Sequence, residues 1–130
     1  SRVIRVKQGA KAPFVVVDAA MNDLLRPSLY DAWHDIRAVV PRGERSVANV
    51  VGPVCETGDT FATSREMDVV QPDDLIVFAT AGAYAATMAS TYNSRALTPE
   101  VMVSGDRWAL VRARIPIEEI IAADRIPDWL

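Results

Sequence analysis

The only cysteine, Cys55, stands directly beside an acid in the stretch Gly52-Pro53-Val54-Cys55-Glu56-Thr57-Gly58-Asp59. Gly and Pro before the pair and Gly after it mark a turn between strands. A Cys-Glu dipeptide on a turn lifts a nucleophilic or proton-donating thiol and a carboxylate off the scaffold together. Taken alone the signal is weak, because a lone cysteine is more often a small buried hydrophobe than a reagent. It gains meaning from two further stretches, Asn22-Asp23-Leu24-Leu25-Arg26-Pro27-Ser28-Leu29-Tyr30 and Gly82-Ala83-Tyr84. Pro27 is placed to open a short helical turn reaching Tyr30, which would set Arg26 and Tyr30 one turn apart and pointing the same way.

The elements that must position these groups fit within one domain. The chain has 130 residues, 50% apolar and 24% charged, which is ordinary for a globular domain with a real core. A net charge of −3 gives no basic surface for nucleic acid or an anionic membrane. One cysteine excludes an internal disulfide and suits a reduced, cytoplasmic setting. The apolar runs Val15-Val16-Val17 and Leu75-Ile76-Val77-Phe78 are far too short to span a bilayer. The start, Ser1-Arg2-Val3-Ile4-Arg5, alternates, has no initiator methionine and carries no signal-peptide pattern. It reads as mid-chain sequence, so a fragment or processed piece is expected.

Strands are expected over Val3 to Lys7 and over Phe14 to Asp18, the latter apolar enough for a sheet buried on both faces. Asn22 suits a turn cap, and Arg26, preceding Pro27, is biased towards extended geometry. Trp33 to Val40 reads as a strand with His34, Ile36, Ala38 and Val40 on one face. Ser46 to Val51 leads into the cysteine turn, and Asp59 to Met67 is polar and reads as an extended connection. Pro72-Asp73-Asp74 is a turn of solvated acids before a strand over Leu75 to Ala79. Ala83 to Ser90 suits a short helix and Tyr92 to Arg95 is irregular. Glu100 to Val103 and Arg107 to Arg114 form a hairpin across Ser104-Gly105-Asp106. Pro116 to Ala123 is a helix with Glu118 and Glu119 in its first turn. With about seven or eight strands and little helix, the fold class is mainly β, an antiparallel barrel or sandwich with short helices. Parallel α/β is disfavoured, since no long crossover helices separate the strands.

Several chemistries fall away. One histidine, His34, makes no metal cluster, and no Cys–Cys spacing suits zinc; His34 reads as a strand residue with a polar partner. Neither a Gly-x-Ser-x-Gly elbow nor a Gly-rich or Walker phosphate loop occurs.

Three runs in order resemble the C-terminal domain of bacterial diaminopimelate decarboxylases. They are Val17-Asp18-Ala19-Ala20-Met21 leading into Asn22 to Tyr30, Val51 to Asp59, and Gly82-Ala83-Tyr84 followed by Met88-Ala89-Ser90-Thr91-Tyr92-Asn93-Ser94-Arg95. The wider group is the alanine-racemase-like, fold-type III pyridoxal-phosphate decarboxylases. Its ornithine and arginine decarboxylases share a Cys-plus-acid turn and a Gly-Ala-Tyr. The Arg-Pro-x-Leu-Tyr run favours the diaminopimelate branch, whose substrate has a distal carboxylate.

The resemblance implies roles. Arg26 and Tyr30 match the pair that grips a substrate carboxylate, the first with a bidentate fork and the second with a further hydrogen bond. Cys55 matches a thiol placed near the reacting carbon across a dimer interface, where it gives a proton after carbon dioxide leaves. Glu56 matches the acid that meets the distal ammonium of meso-diaminopimelate, and Tyr84 the tyrosine that approaches pyridoxal 5'-phosphate. Tyr92 to Arg95 match the pattern and are assigned to packing or the site rim. Without the family, Arg26 reads as a surface cation, Tyr30 and Tyr84 as core aromatics, and Glu56 as a solvated acid.

The family's Schiff-base lysine, Gly-rich phosphate loop and ring-stacking histidine lie in an N-terminal (β/α)8 barrel absent from this sequence. Its only lysines, Lys7 and Lys11, sit in no cofactor motif. The expectation is a C-terminal β domain over residues 1–130 that supplies half of each active site and much of a homodimer interface, yet is inactive alone. The family's domain also borrows a strand from the extreme N-terminus; without it one sheet edge lies open. Two alternatives stay open. One is an ornithine-, arginine- or carboxynorspermidine-type decarboxylase domain; the other is a non-catalytic β-barrel interaction domain.

Overall fold

Alternating valines set the main sheet. In the computed structural model, which describes residues 1–130, β1 (Val3–Lys7), β2 (Phe14–Val17), β4 (Arg45–Val51) and β5 (Thr60–Asp68) lie side by side in that order. The β1–β2 and β4–β5 pairs are antiparallel, and β2–β4 is parallel, with Val15 opposite Val50. Val3, Val15, Val17, Ala48 and Val50 all point into one core, as period-two alternation requires. Phe14 remains exposed and Val16 half-buried, so β2 is covered fully on one face only.

A second, two-stranded sheet of β3 (Ile36–Ala38) and β6 (Ile76–Phe78) adds Ile36, Ala38 and Ile76 to the same core. The Phe61 and Phe78 rings, 4.7 Å apart and tilted by 50°, join the two layers. His34, Ile36 and Ala38 are buried while Trp33, Arg37 and Val39 are exposed, as expected, but the strand stops at Ala38 and Val40, expected on the buried face, is exposed. His34 has its polar partner: Nδ1 lies 3.0 Å from the Ala79 carbonyl oxygen. The third sheet is the hairpin β7 (Glu100–Ser104) and β8 (Arg107–Arg112), turning at Gly105 with φ of 63°. The helices are short: α1 (Arg26–Tyr30), α2 (Ala85–Met88) and α3 (Ile117–Ile121). None is long and apolar enough to cross a membrane.

The mainly-β reading holds, but the sheets do not close into a barrel. The parallel β2–β4 pair is connected through α1 and β3 rather than a long crossover helix. The Asp59 to Met67 stretch is the longest strand rather than a connection. Its periodicity is hidden by bulges: Ala48 faces Arg65, Val50 faces Ala62 and Val51 faces Thr60. Ser64 takes a φ of 47° and donates its N–H to Asn49 Oδ1 at 2.8 Å. Phe61 and Ala62 are therefore both buried although adjacent. Arg26 lies inside α1 rather than in extended geometry, because Pro27 falls at a helix start where a missing N–H costs nothing.

Asp74, expected to be solvated, instead receives the Arg42 guanidinium through both terminal nitrogens, one at 2.8 Å, and the Gln71 N–H at 2.7 Å. Arg42 first, and Gln71 after it, bring its carboxyl from 3.8 down to about 2. A carboxyl depressed in the folded state adds stability above its ordinary value, and that stability is lost as pH falls through the depressed one. The Asp74 contribution to the urea midpoint of the full-length protein should therefore be constant at neutral pH and disappear as pH falls from 3.8 to about 2. Asp74→Asn should flatten the lower part of that dependence; an unchanged profile would show that the pair contributes nothing.

Candidate functional site

The three chemistry-bearing stretches converge on the turn Met21-Asn22-Asp23. Asp59 joins the first two. The residue is 3% exposed, with Oδ1 accepting the Met21 N–H at 2.7 Å and Oδ2 the Val54 N–H at 2.8 Å. Gly52 donates its N–H to the Asp59 carbonyl at 2.9 Å, and any Cβ at residue 52 would collide with the Asp59 carboxylate. The Gly before the cysteine thus makes room for a buried acid, and that acid holds the turn.

Asn22 joins the third stretch. Rather than capping α1, its buried side chain donates to the Ser90 carbonyl at 3.1 Å, and Ser90 N–H returns a bond to the Asn22 carbonyl at 3.0 Å. The cap position of α1 is Leu25, which makes no side-chain bond. Arg95 extends the attachment through the Asp18 carbonyl at 2.6 Å and the Asp23 carboxylate at 3.6 Å.

Around this junction two clefts open. Arg26, Tyr30, Tyr84 and Met88 line one of about 360 Å³, with the Arg26 guanidinium 5.1 Å from the centre of the Tyr84 ring. A cation over an aromatic face is attracted to it and loses freedom there. Glu56 and Tyr92 line the other, about 280 Å³, with Met21, Asn22, Leu25 and Ser90. The Tyr92 hydroxyl donates to Glu56 Oε2 at 3.0 Å, and the Gly58 N–H to Oε1 at 3.3 Å. Gly58, and after it Tyr92, hold the Glu56 carboxyl below the usual carboxylate range. The same bond pushes the Tyr92 phenol up.

Of the residues singled out from the sequence, Arg26, Tyr30 and Tyr84 share one cleft and Glu56 lines its neighbour. Cys55 is exposed on the turn beside Glu56 and lines neither. The tyrosines expected in the core on composition alone are half or more exposed, Tyr30 by 62% and Tyr84 by 53%. Two residues were undervalued. Asp59 closes the cysteine stretch as its last letter, and Tyr92 lies in a run whose resemblance implies only packing or the site rim. The signal for both was membership of the same runs. No lysine lines either cleft, so this donor set offers charged and hydroxyl groups and no amine for a covalent bond to a carbonyl.

Residues 1–82 match the family described as pyridoxal-dependent decarboxylase, C-terminal sheet domain. The chain belongs to that family. It is 54% identical, over its whole length, to a diaminopimelate decarboxylase of Zymomonas mobilis, and 48% identical over 94% of its length to one of Neisseria meningitidis. It spans 31% and 30% of those proteins. The crystal structure of diaminopimelate decarboxylase from M. jannaschii superposes with a TM-score of 0.94 at 34% identity, covering 99% of this chain and 30% of that one. The Helicobacter pylori diaminopimelate decarboxylase complexed with L-lysine gives 0.85 at 42% identity, covering 93% and 30%. In this C-terminal sheet domain, then, the family match covers all the buried core, and the relatives extend over the Tyr84 and Tyr92 segments as well.

Asp59→Ala would leave two inward N–H groups unpaired, so it should lower stability by about 2–3 kcal/mol. Gly52→Ala should do comparable damage by forcing the same carboxylate aside. Urea unfolding of the full-length protein checks both; a loss under roughly 0.5 kcal/mol for each would mean that water replaces these bonds.

Proposed function

We propose that this chain is the C-terminal substrate-binding and dimerisation domain of a cytoplasmic, pyridoxal-phosphate-dependent decarboxylase. The reaction is conversion of meso-diaminopimelate to L-lysine and carbon dioxide. The observation that carries the reading is that one domain presents a cleft lined by a cation, Arg26 with Tyr30 and Tyr84, and a second lined by an anion, Glu56 with Tyr92, with the consecutive residues Leu25 and Arg26 on the walls of the two. A substrate end bearing both a carboxylate and an ammonium needs both signs of charge within one molecule's reach. The diaminopimelate decarboxylases among the relatives support the same substrate.

Each residue has a task that its chemistry suits. Arg26 offers parallel N–H donors to a carboxylate, and Tyr30, four residues on along α1, adds a hydroxyl. Glu56 takes the ammonium. Cys55, exposed on a turn held by Asp59, holds a proton at Sγ and gives it to the substrate carbon that has lost carbon dioxide; solvent then restores the thiol. Tyr84 would hold pyridoxal phosphate by its hydroxyl, and the cofactor, when bound, supplies the electron sink.

The lysine that bonds the cofactor belongs to an N-terminal barrel, in keeping with relatives more than three times as long as this chain. A homodimer with shared sites is supported by the apolar side chains left exposed on β7 and β8, among them Val101, Val103, Trp108 and Leu110. The exposed, unpaired thiol suits the reducing cytoplasm.

The test uses the full-length enzyme. Arg26→Ala should cut kcat/KM on meso-diaminopimelate by about 100-fold or more, as expected for loss of a bidentate charge-assisted contact. Cys55→Ala should lower kcat much more than it raises KM. The isolated chain should show neither cofactor absorbance nor lysine formation. Preference for ornithine or arginine by the parent enzyme would reassign the substrate. Wild-type turnover in Cys55→Ala, Glu56→Ala and Tyr84→Phe alike would make these residues structural only.

A further inference from the structure

The Glu56 carboxylate is exposed, and an exposed side chain of that length samples several rotamers unless something holds it. Two donors do so here, one on each oxygen: Gly58 N–H on Oε1 and the Tyr92 hydroxyl on Oε2. Each carboxylate oxygen accepts along two lone pairs, so both keep one for a further donor. The two donors differ in origin. Gly58 is local, two residues along the same turn, whereas Tyr92 reaches in from 36 residues away.

Tyr92 is itself placed by the chain around it. Ser90 is bonded to Asn22 through two backbone and side-chain contacts, and the Tyr92 N–H lies 3.4 Å from Ser90 Oγ. Residues Asn93 and Ser94, which follow it, take φ values of 59° and 54°, a costly left-handed pair that reverses the chain towards the anchored Arg95. The phenol ring is half-exposed, lining the cleft with Glu56 instead of filling the core. A tyrosine used only for packing has no need of this orientation.

We infer that Tyr92 is a positioning residue, fixing the Glu56 carboxylate in one orientation so that the free lone pairs meet the substrate's distal ammonium. This rests on the substrate reading above and adds to it a residue that touches Glu56 rather than the reacting carbon. Removing the hydroxyl alone frees one carboxylate oxygen without touching the core. The consequence falls on binding of the charged end, and the proton transfer at Cys55 is spared.

The experiment is a double-mutant cycle in the full-length holoenzyme, comparing wild type, Tyr92→Phe, Glu56→Ala and the double variant on meso-diaminopimelate. Tyr92→Phe should raise KM by about three- to tenfold, the loss expected for one partly exposed hydrogen bond to a charged group, with kcat within about twofold and the thermal midpoint unchanged. In the Glu56→Ala background the same substitution should change KM by less than about 1.5-fold, since the group it orients is gone. An equal effect of Tyr92→Phe in both backgrounds, a fall in kcat with KM unchanged, or no effect in either overturns the positioning role. If Glu56→Ala itself leaves KM unaltered, it is the substrate reading that fails, and the positioning role falls with it. If Glu56→Ala raises KM while Tyr92→Phe does not, the substrate reading stands and only the role of Tyr92 is lost.

Discussion

A single buried carboxylate is the constraint on which the site depends. Asp59 lies almost wholly out of water, where a charge is costly unless donors surround it. It finds them in two backbone N–H groups that belong to different loops, those of Met21 and Val54. The bonds cannot be made unless the Met21 turn and the cysteine turn approach to hydrogen-bond distance, and they cannot be made if residue 52 carries a Cβ. The loop therefore has one shape open to it. Cys55 and Glu56, at its outer edge, need no packing of their own; they inherit position from a residue that faces the other way.

The same logic recurs with decreasing strength outward. Asn22, buried, ties the Ser90 segment to the Met21 turn. Arg95, half-buried, ties the end of that segment to Asp18 and Asp23. At the surface the contacts become Arg26 over Tyr84 and Tyr92 on Glu56, both between groups exposed enough to meet a ligand. Buried polar bonds fix loops, and the loops present side chains whose remaining hydrogen-bonding capacity is unspent. A site held in this way keeps its charges accessible while restricting their motion, which cuts the ordering cost of binding.

The sequence made the mainly-β fold class and the turn residues legible, and left strand order and long-range polar bonds hidden. Cys55, Glu56, Arg26, Tyr30 and Tyr84 stand out as candidates because they lie in short runs with turn residues attached, Gly52 and Gly58 for the one, Pro27 for the other, and because those runs resemble a known family. The hairpin at Gly105 and the helix after Pro116 were equally plain, since a turn residue or a helix-opening proline marks each. β5 was misread because bulges interrupt its alternation, placing Phe61 next to Ala62 in the core and polar Thr63 and Ser64 outside. The parallel β2–β4 pair was misread because strand order is a long-range property that local pattern does not encode. Tyr92 and the Asp59–Met21 bond are hidden for a related reason: the partners are 36 and 38 residues away, so nothing adjacent announces the contact.

Cohesion and chemistry are also divided along the chain. Every buried residue lies between Val3 and Ile76, within the family match, while β7 and β8 contribute none and expose apolar side chains along their length. A two-stranded hairpin is marginal in water, and one whose outward residues include Val103 and Trp108 gains stability mainly by being covered. In the proposed assembly that cover and the missing half of the active site arrive with other parts of the enzyme. The half-exposed tyrosines of the clefts and the bare apolar strands then have a common cause. In the proposed assembly both are covered by further protein, the first with room left for a charged substrate and the second without.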